Sequence, residues 1–310
     1  FAWIASKENL LQNASWIDLL KIKASIGQQG NDGVGDFNYT DTYSLATAST
    51  YAMSPSFRSL GNPDITWETT TNLNLGAEFS FFKGRLAGSL DVYNKVASDQ
   101  LFWLSVPEHA GARGYYGNIG DIRNRGVELV LNGNLIHTNT VDWTVSMNAS
   151  HNGTKILSLP EAKIIEGTKG FTESSQWLEI GGPLYNAFRP KYAGVDEQGK
   201  ALYYVDSALN GKTDRPGTNC DATTDNINNA TKYALGSLLP KVFGGFGTTL
   251  NVGPVDLSLT FDYQIGGKIY DSRYAGFMSP NTDAGDAGST FHKDWIRSWS
   301  PDNTSSNVPR

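Results

Sequence analysis

The feature that most constrains this chain is a hairpin between Thr71 and Lys95, whose two arms each keep one face apolar and the other polar for about ten residues, well beyond an ordinary strand. On the first arm Leu73, Leu75, Ala77 and Phe79 share one face, and Asn72, Asn74, Gly76, Glu78 and Ser80 share the other, because side chains alternate across a strand. On the second arm Leu86, Gly88, Leu90 and Val92 oppose Ala87, Ser89, Asp91, Tyr93 and Lys95, with Phe81 to Arg85 turning the chain. Asp, Asn, Glu and Lys are poor strand formers and costly in a dry core, so the polar face has to meet water. The apolar face then has to meet lipid or a second sheet. A tilted strand of roughly this length crosses a bilayer.

The pattern recurs along the chain. Leu20, Ile22, Ala24 and Ile26 alternate with Lys21, Lys23, Ser25 and Gly27, followed by a glycine-rich turn over Gln28 to Asp36 and a return strand over Tyr39 to Tyr51. Val127, Leu129, Leu131 and Leu135 oppose Glu128, Val130, Asn132 and Asn134; after a short turn Trp143, Val145, Met147 and Ala149 oppose Thr144, Ser146, Asn148 and Ser150. Val242 to Leu250 makes another strand, Asn251 to Pro254 a tight turn, and Val255 to Tyr263 alternates again. Between these segments lie a loop after Val106 carrying Pro107, Gly111, Gly114, Gly117 and Gly120, and a long irregular region at 153–239 with one small hairpin near Ala201 to Val205. Short turns alternating with long loops are the signature of outer-membrane barrels, with turns on the periplasmic rim and loops outside. The expected fold is all-β: a partial transmembrane antiparallel β-barrel over 1–310, with 153–239 as an extracellular loop region.

Composition narrows the function. A net charge of -6 without a basic patch argues against nucleic acid as a partner. The single cysteine, Cys220, excludes an internal disulfide and a cysteine-based zinc cluster. Phe1 to Ile4 does not read as a signal peptide, and there is no apolar run long enough for a membrane-crossing helix. A mean hydropathy of -0.35 is nevertheless compatible with a barrel, whose strands alternate. Catalytic patterns are missing: His109, His137, His151 and His292 lie far apart, and neither H-E-x-x-H nor G-x-S-x-G occurs. Asp283 and Asp286 lie in a glycine-rich stretch that could offer oxygens to calcium, though a solvated turn explains them as well. The reading is therefore not an enzyme, with no cofactor and no metal site.

Several stretches, in order, resemble the SusC/RagA family of TonB-dependent outer-membrane transporters from Bacteroidetes. They are Asn62-Pro63-Asp64-Ile65-Thr66-Trp67-Glu68-Thr69-Thr70, Phe81-Phe82-Lys83-Gly84-Arg85-Leu86, Asp91-Val92-Tyr93-Asn94-Lys95, Asn118-Ile119-Gly120 and Asn124-Arg125-Gly126-Val127-Glu128-Leu129. Pro240-Lys241-Val242-Phe243-Gly244-Gly245-Phe246, Tyr263-Gln264-Ile265-Gly266-Gly267-Lys268-Ile269-Tyr270-Asp271 and Trp299-Ser300-Pro301-Asp302-Asn303 continue the likeness. The resemblance implies a large plugged barrel of about 22 strands, of which this chain would be a C-terminal fragment without plug domain, TonB segment or final strands. It further implies import of oligosaccharides, less readily of peptides, across the outer membrane, with the TonB system and a SusD-like surface lipoprotein as partners.

Two sets of aromatic residues follow as candidate sites. Trp67, Phe79, Trp143 and Tyr263 fall near strand ends, where an aromatic girdle meets the membrane interface. Trp103, Tyr115, Tyr116 and Trp177 fall in loops, where flat rings can stack on a glycan ligand or grip a partner protein. Cross-strand packing and loop packing are the plainer explanations for both sets. A soluble surface β-protein that binds carbohydrate, as a sandwich or adhesin, would also bury alternating faces. A hydrolase domain would need two carboxylates converging in a cleft.

Overall fold

The computed structural model describes residues 1–33, 35–49, 52–107, 113–278 and 290–310. His109, Gly111, Asp283 and Asp286, considered above, lie outside the described residues, as does Tyr51. The main sheet has eight strands: β1 (Ala2–Ile4), β2 (Ile17–Asn31), β3 (Glu68–Phe81), β4 (Leu86–Ser98), β5 (Asp121–His137), β6 (Val141–Ser158), β7 (Val242–Val252) and β8 (Val255–Ile265). Their order in the sheet is their order in the chain, and every neighbouring pair is antiparallel. The result is an up-and-down meander, which needs only a hairpin link between neighbours.

The links divide by rim. Turns 82–85, 138–140 and 253–254, together with segment 5–16, lie at one end of the strands; the long connections 32–67, 99–120 and 159–241 lie at the other. In the first turn Phe82, Lys83 and Gly84 all take positive φ, and the Gly84 N–H donates to Asp18 Oδ2 at 2.8 Å. That bond offsets part of the strain of two left-handed residues that carry side chains.

The register keeps each face uniform. Trp3, Ile22, Ala77, Leu90, Leu129, Ala149, Gly244 and Tyr263 form one row across all eight strands. Leu20, Phe79, Gly88, Leu131, Met147, Phe246 and Phe261 form the next. On the opposite face run Lys21, Glu78, Ser89, Val130, Asn148, Gly245 and Asp262. Side chains of the apolar rows stay open: Ile26 is 76% exposed, Leu75 53% and Phe261 55%. A water-soluble sheet would cover such a surface with a second layer, and among the described residues of this unit no second sheet packs over these rows as a sandwich core. The apolar rows also drift. On β2 they reach from Ile17 to Ile26, and on β8 from Val255 to Ile265, four residues further toward the turn rim than the row that Ile17 begins and Leu259 ends. A level lipid band crossing tilted strands requires this drift.

A second compact unit comprises 165–178, 185–239 and 267–310. It holds a four-stranded sheet (Gly170–Glu173, Gln176–Glu179, Asn186–Pro190, Lys232–Ser237) and a three-stranded one (Tyr192–Val195, Ala201–Val205, Ala222–Thr224). Trp177, Phe188 and Tyr233 are buried at its centre.

The structure corrects several boundaries. β2 runs through Gly27 and Gly30 to Asn31, so the expected glycine-rich turn begins later; its ladder partners Thr69, Thr70 and Thr71 carry it on. The expected return strand over Tyr39 to Tyr51 does not join the main sheet: Thr42–Ser49 pairs with Ala52–Ser59 as a local hairpin. Likewise Leu101–Ser105 pairs with Gly114–Asn118. The region read as a loop from 153 starts as strand, since β6 continues to Ser158, and then becomes a folded unit with its own core.

The two faces predict opposite mutational costs. Leu90→Arg, in the middle of the apolar rows, should destabilise the folded barrel by about 2–4 kcal/mol, whereas Ser89→Arg next to it should cost little. Heat-modifiable mobility on gels measures both, and equal costs would contradict the assignment of faces.

Candidate functional site

The polar face carries a chain of ion pairs across three strands. Lys21 Nζ lies 3.1 Å from Glu78 Oε2, Lys23 Nζ 3.0 Å from Glu78 Oε1, and Lys23 Nζ 3.0 Å from Asp91 Oδ1. Lys23 and Asp91 are not adjacent; Gly76 lies between them in the register. A Cβ at Gly76 would sit 2.2 Å from Asp91 Oδ1 and 2.6 Å from Lys23 Cε, so the missing side chain is what lets the pair meet over β3. Toward the turn rim the same face is mostly amide and hydroxyl, with Asp142 lying 3.1 Å from His137 Nδ1. Asn132, Asn134, Thr144, Ser146, Thr249, Ser258 and Thr260 contribute to an open groove of about 380 Å³. The side-chain oxygens of Asn72, Asn134 and Asn152 on this face are buried and unpaired, and groups of this kind call for donors.

Amides and hydroxyls so arranged can hydrogen-bond water, hydroxyls or other amides. Among the described residues no group of His, Cys, Asp and Glu could hold a metal ion.

The loop rim explains part of the quoted sequence motifs. Asn118 receives the Thr66 N–H on Oδ1 at 2.8 Å and donates from Nδ2 to the Thr66 carbonyl at 2.8 Å and the Asp99 carbonyl at 2.9 Å. Asn62 donates to the Tyr116 carbonyl at 2.9 Å and accepts the Asp64 N–H at 3.1 Å. Two asparagines thus stitch connection 32–67 to connection 99–120 and hold the hairpin that bears Trp103, Tyr115 and Tyr116. Trp103 and Tyr116 meet edge to face at 5.1 Å. Trp177 does not join them. It is 1% exposed and packs at 5.5 Å against Phe188, so this residue supports the core of the second unit and offers no ring face to a ligand or partner.

The four proposed girdle residues all fall on the apolar side of the sheet. Trp67 covers Gly30, whose Cβ position is 3.5 Å from the indole ring, and Tyr263 spans Gly244 to donate to the Asn148 carbonyl at 3.0 Å; both lie toward the loop rim. Toward the turn rim Phe79 stacks on Phe81 at 5.1 Å, and Trp143 Nε1 donates to Thr248 Oγ1 at 2.8 Å. Trp16, which the sequence reading passed over, joins that end, 5.2 Å from Phe81 and 5.9 Å from Phe82. Its place just before β2 was the available signal.

A wide antiparallel meander with one face suited to lipid and the other to water is the wall of a transmembrane β-barrel. The chain belongs to the TonB dependent receptor-like, beta-barrel family, whose model matches residues 13–187. It is 29% identical to TonB-dependent receptor P3 of Formosa agariphila over all of this chain and 31% of that protein. It is 26% identical to TonB-dependent receptor SusC of Bacteroides thetaiotaomicron, over 68% of this chain and 23% of that protein. The solved RagAB peptide transporter matches all of this chain and 33% of that chain, with 26% identity and a TM-score of 0.74. The SusC/RagA resemblance, the all-β barrel architecture and the outer-membrane location are thereby borne out, and the relatives are transporters and receptors, not enzymes. The chain spans about a third of the length of the first relatives.

One carboxylate fixes the loop unit. Asp206, itself buried, accepts the Asn219 N–H at 3.0 Å, the Thr218 N–H at 2.8 Å and the Ala208 N–H at 3.1 Å. These backbone donors, Asn219 and Thr218 foremost, lower its pKa from 3.8 to about 2. A folded-state pKa below the unfolded one adds stability that is fully present above pH 3.8 and is lost as pH falls toward 2. The protection of the amides at 206–219, taken relative to their intrinsic exchange rates, should therefore fall between those values, and Asp206→Asn should lower it on the order of tenfold at neutral pH. Hydrogen exchange by mass spectrometry reads both effects.

Proposed function

We propose that this chain supplies eight strands of a larger plugged barrel that imports oligosaccharides across the outer membrane, driven by the TonB system and capped at its loop rim by a SusD-like lipoprotein. The observation that carries the reading is the polar face: amides and hydroxyls are arrayed over β5 to β8, and the charges of Lys21, Lys23, Glu78 and Asp91 neutralise one another. Such a wall hydrogen-bonds sugar hydroxyls, and Glu128, Asp142 and Asp262 on the same face disfavour an anionic cargo. Both edges of the sheet support a larger assembly, because the unpaired backbone of β1 and β8 needs further strands within lipid. Trp103 and Tyr116 at the loop rim, both partly accessible, suit a glycan or a capping protein.

A peptide cargo is the second reading. It is favoured by the likeness to RagAB, which is a peptide transporter.

Cells carrying or lacking the gene decide between them. Loss of labelled-oligosaccharide uptake, with peptide uptake unchanged, is the expected result, together with co-purification of a surface lipoprotein. Loss of peptide uptake alone would replace the first reading by the second. Unchanged uptake of both would remove the transport proposal.

A further inference from the structure

We infer that the apolar side of the barrel wall carries a binding site for a phosphorylated lipid of the outer leaflet, formed by Arg123 and Arg125 on β5 and Lys155 on β6. The inference rests on the reading that the apolar face meets lipid.

Along β5 the apolar face runs through Leu131, Leu129 and Val127, and its next two positions toward the loop rim are Arg125 and Arg123. Register places Arg125 between Asn94 and Gly153, and Arg123 between Val96 and Lys155. Two cations therefore stand directly opposite each other on neighbouring strands, with a third one position pair below. Like charges so placed repel each other and destabilise the pairing. Among the described residues none of the three is in a recorded ion pair, in contrast with Lys21 and Lys23 on the polar face. Arg123 Nε is buried and unpaired. Asp121, two residues from Arg123 on the same face, accepts the Asp99 N–H at 3.3 Å and the Ser158 hydroxyl at 3.0 Å, and its one charge leaves the three cations in excess. Asp91 and Glu128 lie on the opposite face.

An anion between the three cations would convert the repulsion into attraction. Its chemistry is set by what adjoins it. Leu73, Leu75, Val92 and Val127 form the apolar part of an open groove of about 460 Å³ whose loop-side end is Arg125. Gly153 has open space where a Cβ would stand, and keeps the groove clear on β6. Cations immediately above an apolar trough match a lipid, with the phosphate on the cations and an acyl chain along the leucines and valines. A small soluble phosphate would use the cations alone. The loop rim is the extracellular side in this family, so the lipid belongs to the outer leaflet. Clusters of Lys and Arg next to an apolar span attract anionic headgroups at about 1 kcal/mol per residue, equivalent to about fivefold in affinity.

The test uses the full-length protein extracted from its native outer membrane in mild detergent. Native mass spectrometry should find a phosphorylated lipid retained on the wild type. Arg123→Gln, Arg125→Gln and Lys155→Gln together should strip it, and Arg125→Gln alone, an exposed position, should weaken retention about fivefold. Equal retention by wild type and variants would overturn the site. So would full protection of the three cations by millimolar inorganic phosphate in lipid-free protein, which would make it a phosphate site. Outer-membrane fractionation and heat-modifiability of each variant are scored in parallel: wild-type protein absent from the outer membrane would refute the underlying barrel reading, while correctly inserted variants that still hold lipid refute only this site.

Discussion

Everything in the main unit depends on the antiparallel ladder that runs from β2 to β8. In a bilayer a backbone amide has no water to turn to, so each strand must satisfy its groups on its neighbours. Because the side-chain period of a strand is two, a ladder that holds register over seven strands also fixes which face every residue takes. A slip of one residue between β3 and β4 would put Glu78 or Asp91 among the lipid-side rows. The separation of Lys21, Glu78 and Asp91 from Leu90, Met147 and Phe261 is thus a consequence of hydrogen bonding in the backbone, and selection on side chains reinforces a choice the ladder enforces.

Glycines adjust this wall locally. At Gly76 the absent side chain lets Lys23 and Asp91 join across an intervening strand, and at Gly244 it lets Tyr263 lie flat against the sheet and reach the Asn148 carbonyl. One serves charge on the wet side, the other an amphipathic ring on the lipid side. A strand interior loses stability at glycine, so these positions make sense only through what crosses them.

Much of the wall was legible in the sequence because alternation is a strong, local signal. The hairpin of β3 and β4, the β7–β8 turn and the polar and apolar sets on β5 and β6 follow from it directly. What failed did so where pairing overrides local preference. Gly27 and Gly30 suggested a turn, yet the threonines at 69–71 extend β2 through them. Pro55 obscured the strand Ala52–Ser59, which pairs at a sheet edge with Thr42–Ser49. Trp177 looked like a loop aromatic because its cover, Phe188, comes from a different strand. Burial of that kind is a tertiary fact, and no periodicity in a four-residue strand announces it.

The lipid-side cations show the same limit from another direction. Asn124-Arg125-Gly126-Val127-Glu128-Leu129 reads as an alternating strand in which Arg125 merely precedes the apolar set. Only the register reveals that Arg125 shares its face with Val127, that Arg123 stands opposite Lys155, and that a single acid of these strands, Asp121, shares the face with all three. On the wet face a basic residue finds a carboxylate one strand away. On the lipid face Asp91 and Glu128 are turned the other way and Asp121 supplies one charge against three, so the inferred lipid phosphate would complete the balance.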